Sequence, residues 1–340
     1  MKPTNILLMF AYLTTIGELV MARLLNLHEW KQYKQQHGKV YDSPEEDARR
    51  FLLFLATKEQ VRLHNANEQA DYKLGLNHMS DWTQAERARL RGFRYDPIEH
   101  DERVKLSKAD PFLGEILADP TPIPSELDWR QVPNRVGPVK NQGWKCAGCW
   151  AFSTTGALEG QQVVRNFTKE LIPLSEQELI DCSNRNLGCV YGEMSKAMED
   201  IPLIGGIESS VDYGYIDNFY FRCIFDPDKI VMTDSGSIEL PMNNATLLKE
   251  VVAKFGPVSI GIAMNDRYHS YRSGIFTDPT CGNTLNHASL IVGYGTDAKL
   301  GDYWILKDSL SDAWGEGGFM RIKLDICGIG LVSVIPKFDR

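Results

Sequence analysis

Hydrophobic and polar positions change their rhythm three times along the chain. In residues 23–100 the apolar positions Leu24, Leu27, Trp30 and Tyr33 recur at helical spacing, and Phe51, Phe54, Leu55, Val61 and Leu63 do so more loosely. Ser43-Pro44-Glu45-Glu46 has the order of a helix start: a capping Ser, a first-turn Pro, then acids. The pattern predicts two or three helices around a small core. Residues 96–124 carry prolines at 97, 111, 120, 122 and 124 between acids and short apolar pieces, which predicts an extended linker. Beyond it the texture turns rich in glycine. Residues 149–166 lack Pro and predict a buried helix. Ser175 caps a second helix, with Glu178 at the capping-box position. Alternating and apolar runs at 258–263, 289–294, 303–306 and 318–322 predict strands. No internal repeat is visible.

Composition narrows the function. The chain has 340 residues, 43% of them hydrophobic, enough for one to three domains. The net charge is −8, and residues 121–340 hold 27 acidic against 20 basic side chains, so there is no basic face for a nucleic acid. Lys2, the apolar run from Ile6 to Ile16 and Val20-Met21-Ala22 predict a signal peptide over 1–22. That run is too short to span a bilayer, and no membrane partner is expected. In such a compartment seven cysteines allow three disulfides and one free thiol. The sequons at Asn166 and Asn244 fit the same compartment as glycosylation sites.

The stretch NQGWKCAGCWAFS places Cys146 and Cys149 in a C-x-x-C spacing, open to a redox pair, half of a metal site, or two unrelated thiols. Cys149 falls where a loop meets a helix, and a helix N-terminus stabilises a thiolate. A nucleophilic Cys needs a base and a group to orient it. His287, just before an apolar strand, is the candidate base, and Asp308, just after one, the candidate orienter. No second close Cys/His pair exists for zinc, so neither metal nor cofactor is expected.

Together, NQGWKCAGCWAFS, LNHASLIVGYG and YWILKDSLSDAWGEGGFMRI resemble the catalytic blocks of papain-like cysteine peptidases. The N-terminal part is similar to a cathepsin L-type inhibitory (I29) propeptide. One of its motifs stands at Glu46, Arg50, Phe54, Val61 and Asn65, with Thr57 for the usual Asn. A second is Gly75-Leu-Asn77-His-Met79-Ser-Asp81. The resemblance implies an α+β, two-lobed fold with a helical lobe and a β-barrel-like lobe, preceded by a helical propeptide. It implies the division 1–22 signal peptide, 23–100 propeptide, 101–121 linker and activation segment, and 122–340 peptidase. It pairs Cys146 with Cys189, Cys182 with Cys223 and Cys281 with Cys327. Cys149, His287 and Asp308 become nucleophile, base and orienter, and Gln142 an oxyanion donor. Gly192, Met194, Gly261, Leu285, Ala288 and Val332 would bind substrate, with an apolar floor selecting Leu, Val or an aromatic two residues before the cut and Glu193 at the rim. Expected partners are peptide and protein substrates, the chain's own propeptide lying across the cleft, and cystatin-like inhibitors. A monomeric, endolysosomal or secreted endopeptidase follows, its propeptide loosened as carboxylates protonate at low pH.

Four departures bear on activity. Asp308 replaces the family's Asn, which predicts a raised His287 pKa. Leu310 and Ser311 replace a covering Trp and a Gly, which predicts a wetter His–Asp pair. Trp144-Lys145 stands where the family has one residue, which predicts a displaced Gln142. Ala147-Gly148 and Val190-Tyr191-Gly192 replace Gly-Ser and Asn-Gly-Gly. These changes also fit a second reading, a weak or inactive homologue that binds peptides.

Overall fold

The computed structural model describes residues 21–220 and 222–339, so the signal-peptide expectation lies almost wholly outside the described residues. A helix over 21–36 (α1) crosses α2 (Pro44–Asn65). As the sequence predicts, Ser43 caps α2, accepting from the Glu46 amide. Trp30, Tyr33 and Phe54 form a small separate core between the two helices. Arg50 bridges Glu46 and Glu86, and Asp81 accepts from the hydroxyls of Tyr33 (2.6 Å) and Tyr41. Thr57, standing for the usual Asn, donates to the Ser80 carbonyl at 2.8 Å.

Downstream of α2, β1 (Tyr72–Leu74) joins the edge of the main sheet, antiparallel to β7 (Tyr271–Phe276). Asn65 clamps it through the Leu74 carbonyl and amide. Gly274 permits this approach: a Cβ there would meet the Asp71 carbonyl oxygen at 2.5 Å. A short helix, α3 (Gln84–Ala88), follows with a full capping box on Thr83 and Glu86.

The 96–124 segment differs from the extended linker predicted for it. It forms α4 (Pro97–Lys108) and α5 (Pro111–Ala118). Asp96 and Asp110 are N-caps, and Pro97 and Pro111 occupy the first helical turn, where a missing N–H costs nothing. These prolines start helices. Only the stretch around Pro120, Pro122 and Pro124 is irregular.

The remaining chain builds a helical half and a sheet half. β2 (Leu127–Asp128) precedes α6 (Cys149–Glu159), α7 (Glu176–Cys182) and α8 (Met194–Ile204), then β3 (Ile207–Glu208), β4 (Ile230–Met232) and β5 (Ser237–Glu239). α9 (Ala245–Lys254), β6 (Val258–Ile262), α10 (Asp266–His269), β7, β8 (His287–Asp297), β9 (Gly301–Lys307), β10 (Phe319–Lys323) and β11 (Ser333–Pro336) complete it. The sheet order is β1-β7-β10-β9-β8-β6-β11-β5, with β2 beside β8. The four predicted strands are β6, β8, β9 and β10. The helix predicted over 149–166 stops at Glu159, where Gly160 packs tightly under Pro257. Ser175 caps α7 as predicted, but the Glu178 carboxylate accepts from the Glu208 amide instead of closing a box.

The halves are tied across their interface. Ser153 on α6 donates to the Ser289 carbonyl on β8 (2.6 Å), and Ser259 on β6 donates to the Ser153 carbonyl (2.8 Å). Gly156 lets Leu290 close in, since a Cβ would meet it at 2.8 Å. These contacts fix the middle of α6 against the first residues of β8.

Candidate active site

Disulfides Cys146–Cys189, Cys182–Cys223 and Cys281–Cys327 are formed, and Cys149 is free and buried. The C-x-x-C thus divides into one bridged sulfur and one thiol. Cys149 is the first residue of α6, whose N-cap Gly148 supplies no side-chain acceptor, so the helix end keeps its positive field for the sulfur.

His287 opens β8 and lies against Cys149. Its Nε2 donates to Asp308 Oδ1 (3.0 Å) and its Nδ1 to the Leu90 carbonyl oxygen (2.9 Å). Both ring nitrogens face acceptors, which suits an imidazolium carrying two protons. Burial pushes the His287 pKa down, but Asp308 and then Cys149 push it up by more, leaving it well above its ordinary value. Asp308 Oδ1 also accepts the Ser309 amide (2.7 Å), and Oδ2 accepts the Tyr268 hydroxyl (2.6 Å).

Gln142 is buried and anchored at three points. Its amide donates to the Ser309 carbonyl (2.9 Å), its carbonyl accepts from Tyr215 (2.7 Å), and its side-chain oxygen accepts from Ser309 Oγ (2.6 Å). That leaves Nε2 aimed at the Leu90 carbonyl, at 3.5 Å. Gln142 keeps these bonds beside the longer Trp144-Lys145 loop. The extra residue is absorbed in a loop around Asp217, whose carboxylate accepts the amides of Trp144, Lys145 and Cys146. In the precursor the His287 and Asp308 side chains are fully buried. Tyr268 lies edge-on to the His287 ring and stacks on Trp314 (5.3 Å). Ser311, where the family has Gly, sits at φ 70°, the region that favours glycine.

The expected substrate groups lie around one segment of the propeptide. Gly192 exchanges backbone bonds with Gly92 (2.9 Å) and Arg94 (3.2 Å). Phe93 projects at Gly261, where a Cβ would meet its ring at 2.6 Å, with Leu285 beside it. Met194, Ala288 and Val332 are buried. Arg103 on α4 reaches Glu193 (3.1 Å), and Tyr191 lies under the Arg94 guanidinium. Asn166 and Asn244 are exposed, and Asn244 also caps α9. Tyr268, Ser309, Asp217 and Leu90 were not singled out from sequence. Ser309, adjacent to Asp308, is the one with a local cue.

Comparison with known proteins decides the family. Residues 123–336 match the profile described as papain family cysteine protease. The chain belongs to that family. Residues 30–86 match the cathepsin propeptide inhibitor domain. The chain is 36% identical to cathepsin L of Sarcophaga peregrina, over 91% of this chain and 92% of that one, and 36% identical to cathepsin S of Bos taurus with the same coverage. Among solved structures, digestive procathepsin L 3 of Tenebrio molitor larval midgut has a TM-score of 0.80 at 35% identity, covering 92% of this chain and 99% of that one. The protein is a cathepsin L-like cysteine endopeptidase with an inhibitory propeptide, built on the papain-like procathepsin fold.

Proposed function

We propose that this papain-family precursor hydrolyses peptide bonds through Cys149, His287 and Asp308, with Gln142 and the Cys149 amide holding the oxyanion. One observation carries the reading: the one unpaired thiol among the described residues lies at a helix N-terminus beside an imidazole whose two nitrogens both face acceptors. The thiolate attacks the substrate carbonyl carbon, forming C–S. The His287 imidazolium protonates the amine as C–N breaks. Neutral His287 then takes a proton from the water that hydrolyses the thioester. Each oxyanion donor is worth about 3 kcal/mol.

The Leu90 carbonyl, in front of both His287 Nδ1 and Gln142 Nε2, stands where a substrate carbonyl would bind. The side chain at Gly261 comes three residues after it in the propeptide. In a substrate, the residue entering that pocket precedes the cleaved bond. The propeptide therefore runs backwards and is not cut there. We place the signal peptide at 1–22, the maturation cut near residues 119–125, and the working compartment in the secretory route, endolysosomal or extracellular, with glycans at Asn166 and Asn244. The mature enzyme works as a monomer and is open to cystatin-like inhibitors.

The first test is titration of the acid-matured enzyme with a thiol-directed epoxide beside a Leu-Arg fluorogenic peptide. Stoichiometric labelling with matching loss of turnover is expected. Failure of both in matured protein overturns the reading.

Two further outcomes are expected. Asp308→Asn removes the charge that raises His287, so neutral imidazole persists to lower pH and the deacylation profile extends to the acid side. An unchanged profile defeats that assignment. Gly261→Ala puts a methyl where the Phe93 ring lies. Discrimination by about a methyl in an apolar pocket is roughly tenfold or more. Cleavage after Phe-X should therefore fall about tenfold against Val-X, read as kcat/KM on paired peptides.

A further inference from the structure

Asp308 is an acid in a position where this family carries an amide, and it presents two oxygens to a buried site. Oδ1 serves His287 and the Ser309 amide. Oδ2 has one partner, the Tyr268 hydroxyl at 2.6 Å. An Asn would offer an NH2 group there and would need an acceptor. A carboxylate needs a donor, or it carries an unsatisfied buried charge. Tyr268 supplies that donor from α10, on the edge of the sheet half, with Asn265 capping its turn through the Tyr268 amide. Its ring is wholly buried, stacked on Trp314 and edge-on to His287, and the Trp314 indole donates to the Tyr268 carbonyl (3.0 Å).

We propose that Tyr268 is a positioning residue: its hydroxyl holds Asp308 and, by sharing that charge, sets the pH range in which His287 is neutral. This rests on the catalytic reading above. Burial, then Asp308, raises the phenol pKa far above its ordinary value, so Tyr268 donates and does not ionise. The groups facing His287 are Cys149 from α6, Asp308 after β9, and Tyr268 and His269 from α10. Arg87 and Arg91 of the propeptide and Asp266 lie beside His269 in the precursor. Among the described residues, Tyr268 is the one hydrogen-bond donor to the far oxygen of the orienting acid.

The direction of the effect follows from the charge. A donated proton on Oδ2 draws negative charge away from Oδ1. Without it, the full carboxylate charge faces His287, the imidazolium is more stable, and neutral base appears at higher pH. Hydrogen bonds to charged groups are the strong ones, so the expected movement is about one pH unit.

The test uses the full chain, matured by a trace of an aspartic protease that is inhibited before assay. Tyr268→Phe keeps the ring and its stacking. Its deacylation profile should move up by about one pH unit, while iodoacetamide still alkylates Cys149. In an Asp308→Asn background the same substitution should move the profile by less than a few tenths of a unit, because no carboxylate remains to hold. 3-Fluorotyrosine at position 268, a stronger donor, should move it down; this variant decides the matter if Tyr268→Phe fails to fold. An unchanged profile, or equal shifts in both backgrounds, overturns the inference and leaves the catalytic reading standing. Wild-type Cys149 that resists alkylation after maturation overturns both.

Discussion

Cys149→Ser should lower kcat/KM by about four orders of magnitude, although it exchanges one atom. In a serine site the imidazole is neutral at rest and removes the hydroxyl proton as attack begins. Here Asp308, and then Cys149, raise the His287 pKa well above its ordinary value against the pull of burial. An imidazole held in its charged form cannot serve a serine as base. The helix terminus that favours a thiolate cannot ionise an alcohol. Cys149 is not in a disulfide, so the substitution breaks no bridge, and the three existing ones are untouched. The variant should stay a folded precursor at pH 5, with its midpoint of unfolding near that of the wild type. Turnover within tenfold of wild type would mean that the nucleophile lies elsewhere.

How much of this site a single sequence reveals depends on how locally each part is encoded. Cys149 at a helix start and His287 at a strand start lie in short blocks whose residue order carries the resemblance. Parts made by distant contact have no such mark. Asp217 supports the loop before Cys146 from 71 residues away, and Leu90 meets His287 across 197. Tyr268 reaches Asp308 across 40 residues, and nothing in Asn-Asp-Arg-Tyr-His announces it. The same limit holds around two of the departures. The loop before Cys146 rests on Asp217, and Tyr268 and Trp314 stack beside the His287–Asp308 pair, contacts that the departures at 144–145 and 310 do not announce. The helices at 97–118 are a different failure. Asp-Pro at 96–97 and 110–111 is a cap and first-turn pair, the same logic as Ser43-Pro44, obscured by the prolines that follow.

Acid release of the propeptide should depend on His78 more than on the carboxylates that the sequence points to. Glu86 is pushed up by burial but pulled down further by Arg50 and Thr83, to about 2. Its folded pKa is depressed, so its contribution holds above its ordinary 4.5 and is lost only as pH falls through about 2. It does not open a precursor at pH 5. Glu193 is raised, chiefly by burial and against the pull of Arg103 and Lys196, so acid favours its docked form. His78 behaves otherwise. Burial, then Lys39 and His37, lower it from 6.5 to about 4, with Asp81 and Asp312 opposing. His78 sits among its own propeptide's His37 and Trp82, so the ring of the unfolded propeptide takes a proton at a higher pH than the ring of the folded one. The folded propeptide, and docking with it, therefore loses the His78 contribution as pH falls from 6.5 towards 4. The shift is worth at most roughly 3 kcal/mol, or about two orders of magnitude in docking. His269, lowered by burial and by Arg87 and Arg91, acts in the same direction from the other side of the interface. His78→Phe, which keeps an aromatic against Trp82, should remove most of this slope. The measurement is the rate of self-processing of the full precursor from pH 7 to 4, divided at each pH by peptide turnover of the matured enzyme. In wild type this ratio should climb steeply below pH 6.5. In His78→Phe it should climb at least tenfold less. Superimposable curves would return the trigger to the carboxylates.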